Sequence, residues 1–394
     1  MGTAPETART ERRHGRPVAL RAARALIGGV ARQDWWVVVR DGLIEEARPS
    51  RPGGVEEIEL AGMDLIPGLV DLHSDCLELK TRPRPGMVLP LEAGILELDT
   101  EAASNGITTH HLCVCVDEDP SKFRNVGRTA ATVRALESIH DELRVEHRIH
   151  LRVEMTCDGM EATAAMAGSP VVGLLSYMVH IPGMGQFRDR RAWEAYYGRR
   201  VRDGKSPEDE VARRMADLDK IAGRRRRVAE IAREHGLVLA AHDDDSEEAA
   251  RLSLELGATI SEFPVIAEAA ATARSLGLGT VMGAPNARRG RSQHEGNLSA
   301  REALRAGLLS GLASDYHPAS LIAAAYQLSD ERECSWTEAV ALVTSGPADM
   351  ARLADRGRID LGARADLAAV GRRAGQPSVA QVWVAGREVF GPGR

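Results

Sequence analysis

The chain has 394 residues, of which 43% are hydrophobic and 27% charged, proportions of a folded globular protein and not of a disordered, collagenous or coiled-coil one. Its 57 acidic residues exceed its 51 lysines and arginines for a formal charge of -6, so no general basic field exists to gather nucleic acid or anionic lipid. Five cysteines without a CxxC pair exclude a disulfide framework or a zinc knuckle, and no apolar run reaches the roughly 18 residues of a membrane span; the reading is a cytoplasmic chain with no nucleic-acid or membrane partner.

Residues 1–16 carry charge and small side chains without an apolar period, which predicts a tail. After them, "WWVVVRDGLIEEARP" predicts two short strands turning at Asp41-Gly42. Eight short apolar runs follow, at 68–75, 106–117, 150–155, 171–180, 236–245, 258–263, 278–285 and 308–318, separated by helical stretches such as 207–235 and 319–331. Strands alternating with helices predict an α/β fold with a parallel sheet, and eight of them a (β/α)8 TIM-type barrel over residues 65–350. Within it, 187–200 sets aromatics and arginines at helical spacing, and the basic run 223–227 reads as a solvated helix face. The end of the chain, 351–394, is again β-rich, with a hairpin at Ala385-Gly386.

In such a barrel the reacting groups gather at the C-terminal ends of the strands. The polar residues there are His73, Asp75, Glu154, His180, His242 and Asp315. His73 and Asp75 are two apart, so on a strand they share a face, as two ligands to one ion require. Imidazole and carboxylate together suit zinc first, and manganese, iron or nickel as well, whereas the thiols form no evident set. Six ligands exceed the three typical of one catalytic zinc, which predicts two divalent metal ions. No lysine stands at a strand end, since the only ones are Lys80, Lys122, Lys205 and Lys220; the carbamylated lysine that bridges ions in many such enzymes is therefore ruled out, and Glu154 is the candidate bridge.

"PGLVDLHSD", "EHRIHLRVE", "LAAHDDDS", "EFP", "MGAPNARRG" and "LASDYHPASL" occur in this order. In these motifs the chain resembles the amidohydrolase superfamily, and within it is similar to the PhnM family of phosphonate-metabolism enzymes, whose members hydrolyse α-D-ribose 1-methylphosphonate 5-triphosphate to the 5-phosphate and pyrophosphate. The resemblance covers most of 63–350. It implies that His73, Asp75, Glu154, His180, His242 and Asp315 form the metal centre, that two ions lower the pKa of a shared water whose hydroxide attacks phosphorus or a carbonyl carbon, and that Asp315 is the general acid/base. It also implies that the β-rich ends, 17–64 and 351–394, build one small composite domain, and barrels of this type often pair as a homodimer.

The loop 284–297 after the seventh strand, with Asn286, Arg288, Arg289, Arg291, Ser292, His294 and Asn297, reads as an anion site for a small phosphorylated substrate, because arginine forks and backbone N–H groups match phosphate oxygens. Arg82 and Arg84 follow the first strand at the same rim, and Tyr316 and His317 follow Asp315. Departures from the family pattern lie in this rim: Cys76, Glu78 and Leu79 stand where an Asn and an acidic residue before Lys are usual, and "TCDG" replaces paired histidines after Glu154. The alternative activity is hydrolysis of a C–N bond in a cyclic amide or nucleobase-like substrate by the same metal centre. His110, His111, Cys76, Cys113, Cys115 and Cys157 are expected to be buried structural groups.

Overall fold

A computed structural model describes residues 17–84, 86–119, 124–187, 193–194 and 207–392. The tail 1–16 and most of 187–200 lie outside the described residues. Five strands open the chain: β1 (Val18–Ile27), β2 (Val30–Gln33), β3 (Trp36–Arg40), β4 (Leu43–Arg48) and β5 (Glu56–Pro67). β3 and β4 form the antiparallel hairpin expected from the sequence. Asp41 and Gly42 at its turn both have positive φ, 51° and 82°, the backbone of a type I′ turn, whose twist matches that of the flanking strands.

Eight strands follow: β6 (Leu69–Ser74), β7 (Ile107–Val116), β8 (Glu146–Glu154), β9 (Val172–Met178), β10 (Val238–His242), β11 (Ile260–Glu262), β12 (Gly279–Gly283) and β13 (Gly311–Ala313). They pair in chain order, all parallel. β6, β8 and β9 are buried along nearly their whole length, as strands covered on both faces must be. The ring is nearly closed by a parallel bridge between Ser74 and Asp315: Asp75 N donates to Asp315 O at 2.6 Å and Asp315 N to His73 O at 2.9 Å. Buried Asp71 reinforces this seam, its Oδ1 accepting from His73 N and Ser314 N at 3.2 and 3.0 Å. The expected eight-stranded parallel barrel is thus in place, although its eighth strand, β13 (Gly311–Ala313), is shorter than the expected 308–318.

The last strands, β14 (Leu367–Arg373), β15 (Gln376–Val384) and β16 (Arg387–Phe390), join the first five in one sheet of order β16-β15-β14-β5-β1-β3-β4, with β2 on β1. Two local expectations need correction. The helical stretch 207–235 is two helices, Pro207–Met215 and Ile221–Glu234, because Asp217 leaves helical geometry and turns its carboxylate to Lys220 Nζ and Arg224 Nη1 at 2.8 and 2.7 Å. Nor is the run 223–227 uniformly solvated, since Arg224 turns inward and donates to Met155 O.

The expected burial of His111 holds, and His147 joins it under the barrel. Burial pushes His111 down to about 3 and His147 down to about 4, despite the hydrogen bonds that favour their protonated forms, from Asp71 O and the Asp99 carboxylate respectively. Both are neutral in the folded protein and bind protons near pH 6.5 when unfolded, so their contribution is present above pH 6.5 and is lost as pH falls toward 4. Each costs up to about 1.4 kcal/mol per pH unit in that window, about 3 kcal/mol for the two between pH 6.5 and 5, so by denaturant unfolding the parent should lose about that much stability relative to the His111→Gln, His147→Gln variant over that range. Parallel profiles in the two proteins would show that these rings protonate without strain.

Candidate metal centre

The C-terminal ends of the barrel strands converge on a cavity of about 950 Å³. His73, at the end of β6, is buried, and its Nδ1 lies 2.8 Å from Glu262 Oε1 on β11. That carboxylate fixes the ring so that Nε2 faces the cavity, where it lies 3.7 Å from Asp75 Oδ2. Asp75 has left the strand and stands at the N-cap position of the helix Cys76–Thr81, without a side-chain capping hydrogen bond. His73, Asp75 and Asp315 form one group of donors within 4.8 Å of one another, and His180, His242 and Asp243 form a second. His73, His242 and Glu262 form a third, linking the two.

Three turns place these groups. Asp243, Phe263 and Asp315, at the ends of β10, β11 and β13, have φ of 62°, 54° and 58°. Left-handed backbone is unfavourable for side chains with a Cβ, most of all for bulky Phe, and such strain is held at sites that the surrounding fold over-determines.

Glu154 stands apart from the three-donor groups found among the described residues. Fully buried, it accepts from Thr156 N and Oγ1 through Oε1, and its Oε2 lies 2.8 Å from His180 Nδ1 and 3.3 Å from Arg214. Burial opposes its ionisation, but His180 and Arg214 overcome that and hold it down at about 2. Asp315 moves the other way: burial, with the charge of Asp75, pushes it up to about 6.

Several residues here were missed by reading strand ends alone. Arg152, two positions before Glu154 and nearly fully buried, donates from Nη1 to both Asp75 oxygens at 2.9 and 3.0 Å and from Nη2 to His242 Nε2 at 2.8 Å. It spans the first two donor groups. Its signal was the two-residue period of "LRVE", which puts Arg152 and Glu154 on one face. Glu262 lay within the quoted "EFP", and Asp243 within "HDDD". Cys113 and His150 also gather at His73, and burial drives the Cys113 thiol up to about 12.

Of the residues read from the sequence as a substrate rim, Arg82, Arg84, Asn286, Arg289, Ser292, His294, Asn297 and Tyr316 line the cavity. Arg288, Arg291 and His317 are not among its lining residues. Arg288 Nη1 and His317 Nδ1 instead meet Ser320 Oγ, at 3.3 and 2.9 Å, and Arg291 follows Gly290, whose φ of 71° turns the chain outward, and is exposed. Arg124 and Arg128, from the segment after β7, line the cavity too.

The pattern of the amidohydrolase family matches residues 100–390. The alpha-D-ribose 1-methylphosphonate 5-triphosphate diphosphatase of Escherichia coli (strain K12) is 33% identical over 364 residues, covering 89% of this chain and 95% of its own. The chain belongs to the amidohydrolase family. Solved structures share the fold at low identity: dihydropyrimidinase from Brevibacillus agri NCHU1002 superposes with a TM-score of 0.64 at 12% identity over 95% of each chain, and A. niger ochratoxinase with 0.64 at 15% over 96% of each. Amidohydrolases are hydrolases that generally work with divalent metal ions, and the donors here suit one. Histidine and carboxylate match borderline divalent metals, His242 Nδ1 and Asp243 Oδ2 face each other at 2.9 Å, and Glu262 Oε2 is buried without a hydrogen-bond partner, a cost that ligation or a proton would relieve. Among the described residues, no helix is long and apolar enough to cross a membrane.

Proposed function

We propose that this chain is a metal-dependent diphosphatase that hydrolyses a ribose-like 5-triphosphate and releases pyrophosphate. The observation that carries the reading is the pairing of a carboxylate and histidine centre with a rim of arginines in one cavity, alongside 33% identity to a diphosphatase of that kind. His73, Asp75 and Asp315 would hold one divalent ion and His180, His242 and Asp243 a second, zinc foremost, whereas Glu154, expected to link them, instead meets His180 Nδ1 and would orient that ring. Bound there, such ions supply Lewis acidity and an activated water.

The chain's own groups supply the rest. Asp315, which shares a donor group with His73 and Asp75, would take up the proton of the attacking water at a carboxylate oxygen. Glu262 keeps the His73 ring oriented. Arg82, Arg84 and Arg289 neutralise phosphate charge, and Asn286, Ser292, His294, Asn297 and Tyr316 surround the organic part of the substrate. We read 17–64 with 351–394 as one composite β domain beside a barrel domain of 65–350, since one sheet draws strands from both segments. A cytoplasmic setting suits five unpaired thiols.

The test is a hydrolysis assay of the metal-reconstituted protein across ribose- and nucleoside-triphosphates, following pyrophosphate and orthophosphate separately, with cyclic amides and nucleobases alongside. Pyrophosphate release is expected. Turnover of an amide with silence toward every triphosphate would replace this reading by C–N hydrolysis at the same centre.

A further inference from the structure

Arg152 stands between the two donor groups and touches a member of each. It comes from β8, is nearly fully buried and lines the cavity. Its Nη1 donates to both oxygens of Asp75, at 2.9 and 3.0 Å, and its Nη2 donates to His242 Nε2 at 2.8 Å. These contacts have different consequences for a metal ion. A carboxylate has about four lone-pair sites, so Asp75 can accept from Arg152 and still ligate. An imidazole nitrogen has a single lone pair to give.

The partner of His242 fixes where its proton sits. A guanidinium only donates, so the contact requires a neutral ring with its lone pair at Nε2 and its proton at Nδ1, which lies 2.9 Å from Asp243 Oδ2. An ion ligated at Nε2 would need the lone pair that Arg152 occupies. An ion ligated at Nδ1 would move the ring proton to Nε2, against the N–H of Arg152. On either nitrogen, ligation by His242 and its contact with Arg152 exclude each other. His73 is set the opposite way: Glu262 Oε1, 2.8 Å from its Nδ1, draws the proton there and leaves the Nε2 lone pair toward the cavity.

We infer that Arg152 makes the two ion positions unequal. The group His73–Asp75–Asp315 takes an ion with Arg152 in place, whereas the group His180–His242–Asp243 takes one only as Arg152 releases His242. With the first ion bound, the buried guanidinium also adds its charge to that ion's against a second. Arg152 is thus a positioning residue that sets the order in which the centre fills. The inference rests on the two-ion part of the proposed function and deepens it.

Competition of the full-length, zinc-loaded protein against a chromophoric chelator tests this without any substrate. The parent is expected to hold its second ion about 10- to 100-fold more weakly than its first. Arg152→Met, which removes the charge and the donors, should tighten the second ion by about that factor, and by more than it tightens the first. Arg152→Gln, whose amide oxygen can accept from Nε2–H, should do the same. Equal constants in the parent, a second ion unchanged, weakened or tightened no more than the first in a variant with the parent thermal midpoint, or a single ion in the parent and both variants would each overturn the inference. Should neither variant fold, a crystal structure of the parent with both ions decides: Arg152 turned away from His242 is expected, and Nη2 still within hydrogen-bond distance of that ring while it ligates an ion would overturn it. Failure of the diphosphatase reading shows separately, as absence of pyrophosphate release, and leaves these outcomes unchanged.

Discussion

Replacing Asp315 by asparagine is expected to lower kcat by about 10³-fold, within the range that a positioned acid or base contributes, while metal content measured on the purified protein stays near that of the parent. The amide has the size of the carboxylate and keeps an oxygen for a ligand. It cannot take up the proton of the attacking water, which is the role proposed for Asp315. His73→Ala should behave differently and lose metal as well as turnover, because it removes a donor from the groups His73–Asp75–Asp315 and His73–His242–Glu262. Turnover within about tenfold of the parent in Asp315→Asn would assign the proton to another group.

The second large effect lies at the opposite end of the barrel. Glu146, at the start of β8, is the common partner of Arg148, Arg356 and Arg364. The last two come from the segment leading to β14, so this carboxylate ties barrel to sheet. Burial opposes its charge, but Arg356 and Arg364 hold its carboxyl well below the usual carboxylate range. Glu146→Leu leaves two largely buried guanidinium groups without that counter-charge. Removing one member of a buried ionic set costs about 3–5 kcal/mol, read as a lower denaturant midpoint. A loss under about 1 kcal/mol would place this network among surface pairs of little consequence.

How much of this was legible in the sequence follows from what local pattern encodes. Parallel strands buried on both faces leave continuous apolar runs, so all eight barrel strands were found, and the β3–β4 turn was visible in Asp41-Gly42. Residues that end such runs are likewise visible, which is why His73, His242 and Asp315 could be named. Arg152 and Glu262 were harder. Arg152 sits inside an apolar run, where a charged residue reads as an interruption, and it is stabilised only by partners 77 and 90 positions away. Arg124 and Arg128 belong to a connection whose course over the cavity depends on the packing of the helix Cys76–Thr81. Arg288, Arg291 and His317 show the converse error: loop composition suggested an anion site, but the turn at Gly290 and the hydroxyl of Ser320 decide where those side chains go.

The seam between β6 and β13 has a consequence for how this protein can evolve. The ring is clasped by the backbone of His73, Asp75 and Asp315, the same positions whose side chains make up the reactive cluster. Side chains can change without touching those main-chain bonds, but the left-handed turn at Asp315 and the Asp71 clamp constrain what fits there. New substrates are therefore reached most readily through the rim, whose side chains take no part in this clasp, and a lineage that abandoned catalysis would keep the shape of the clasp long after its purpose had gone.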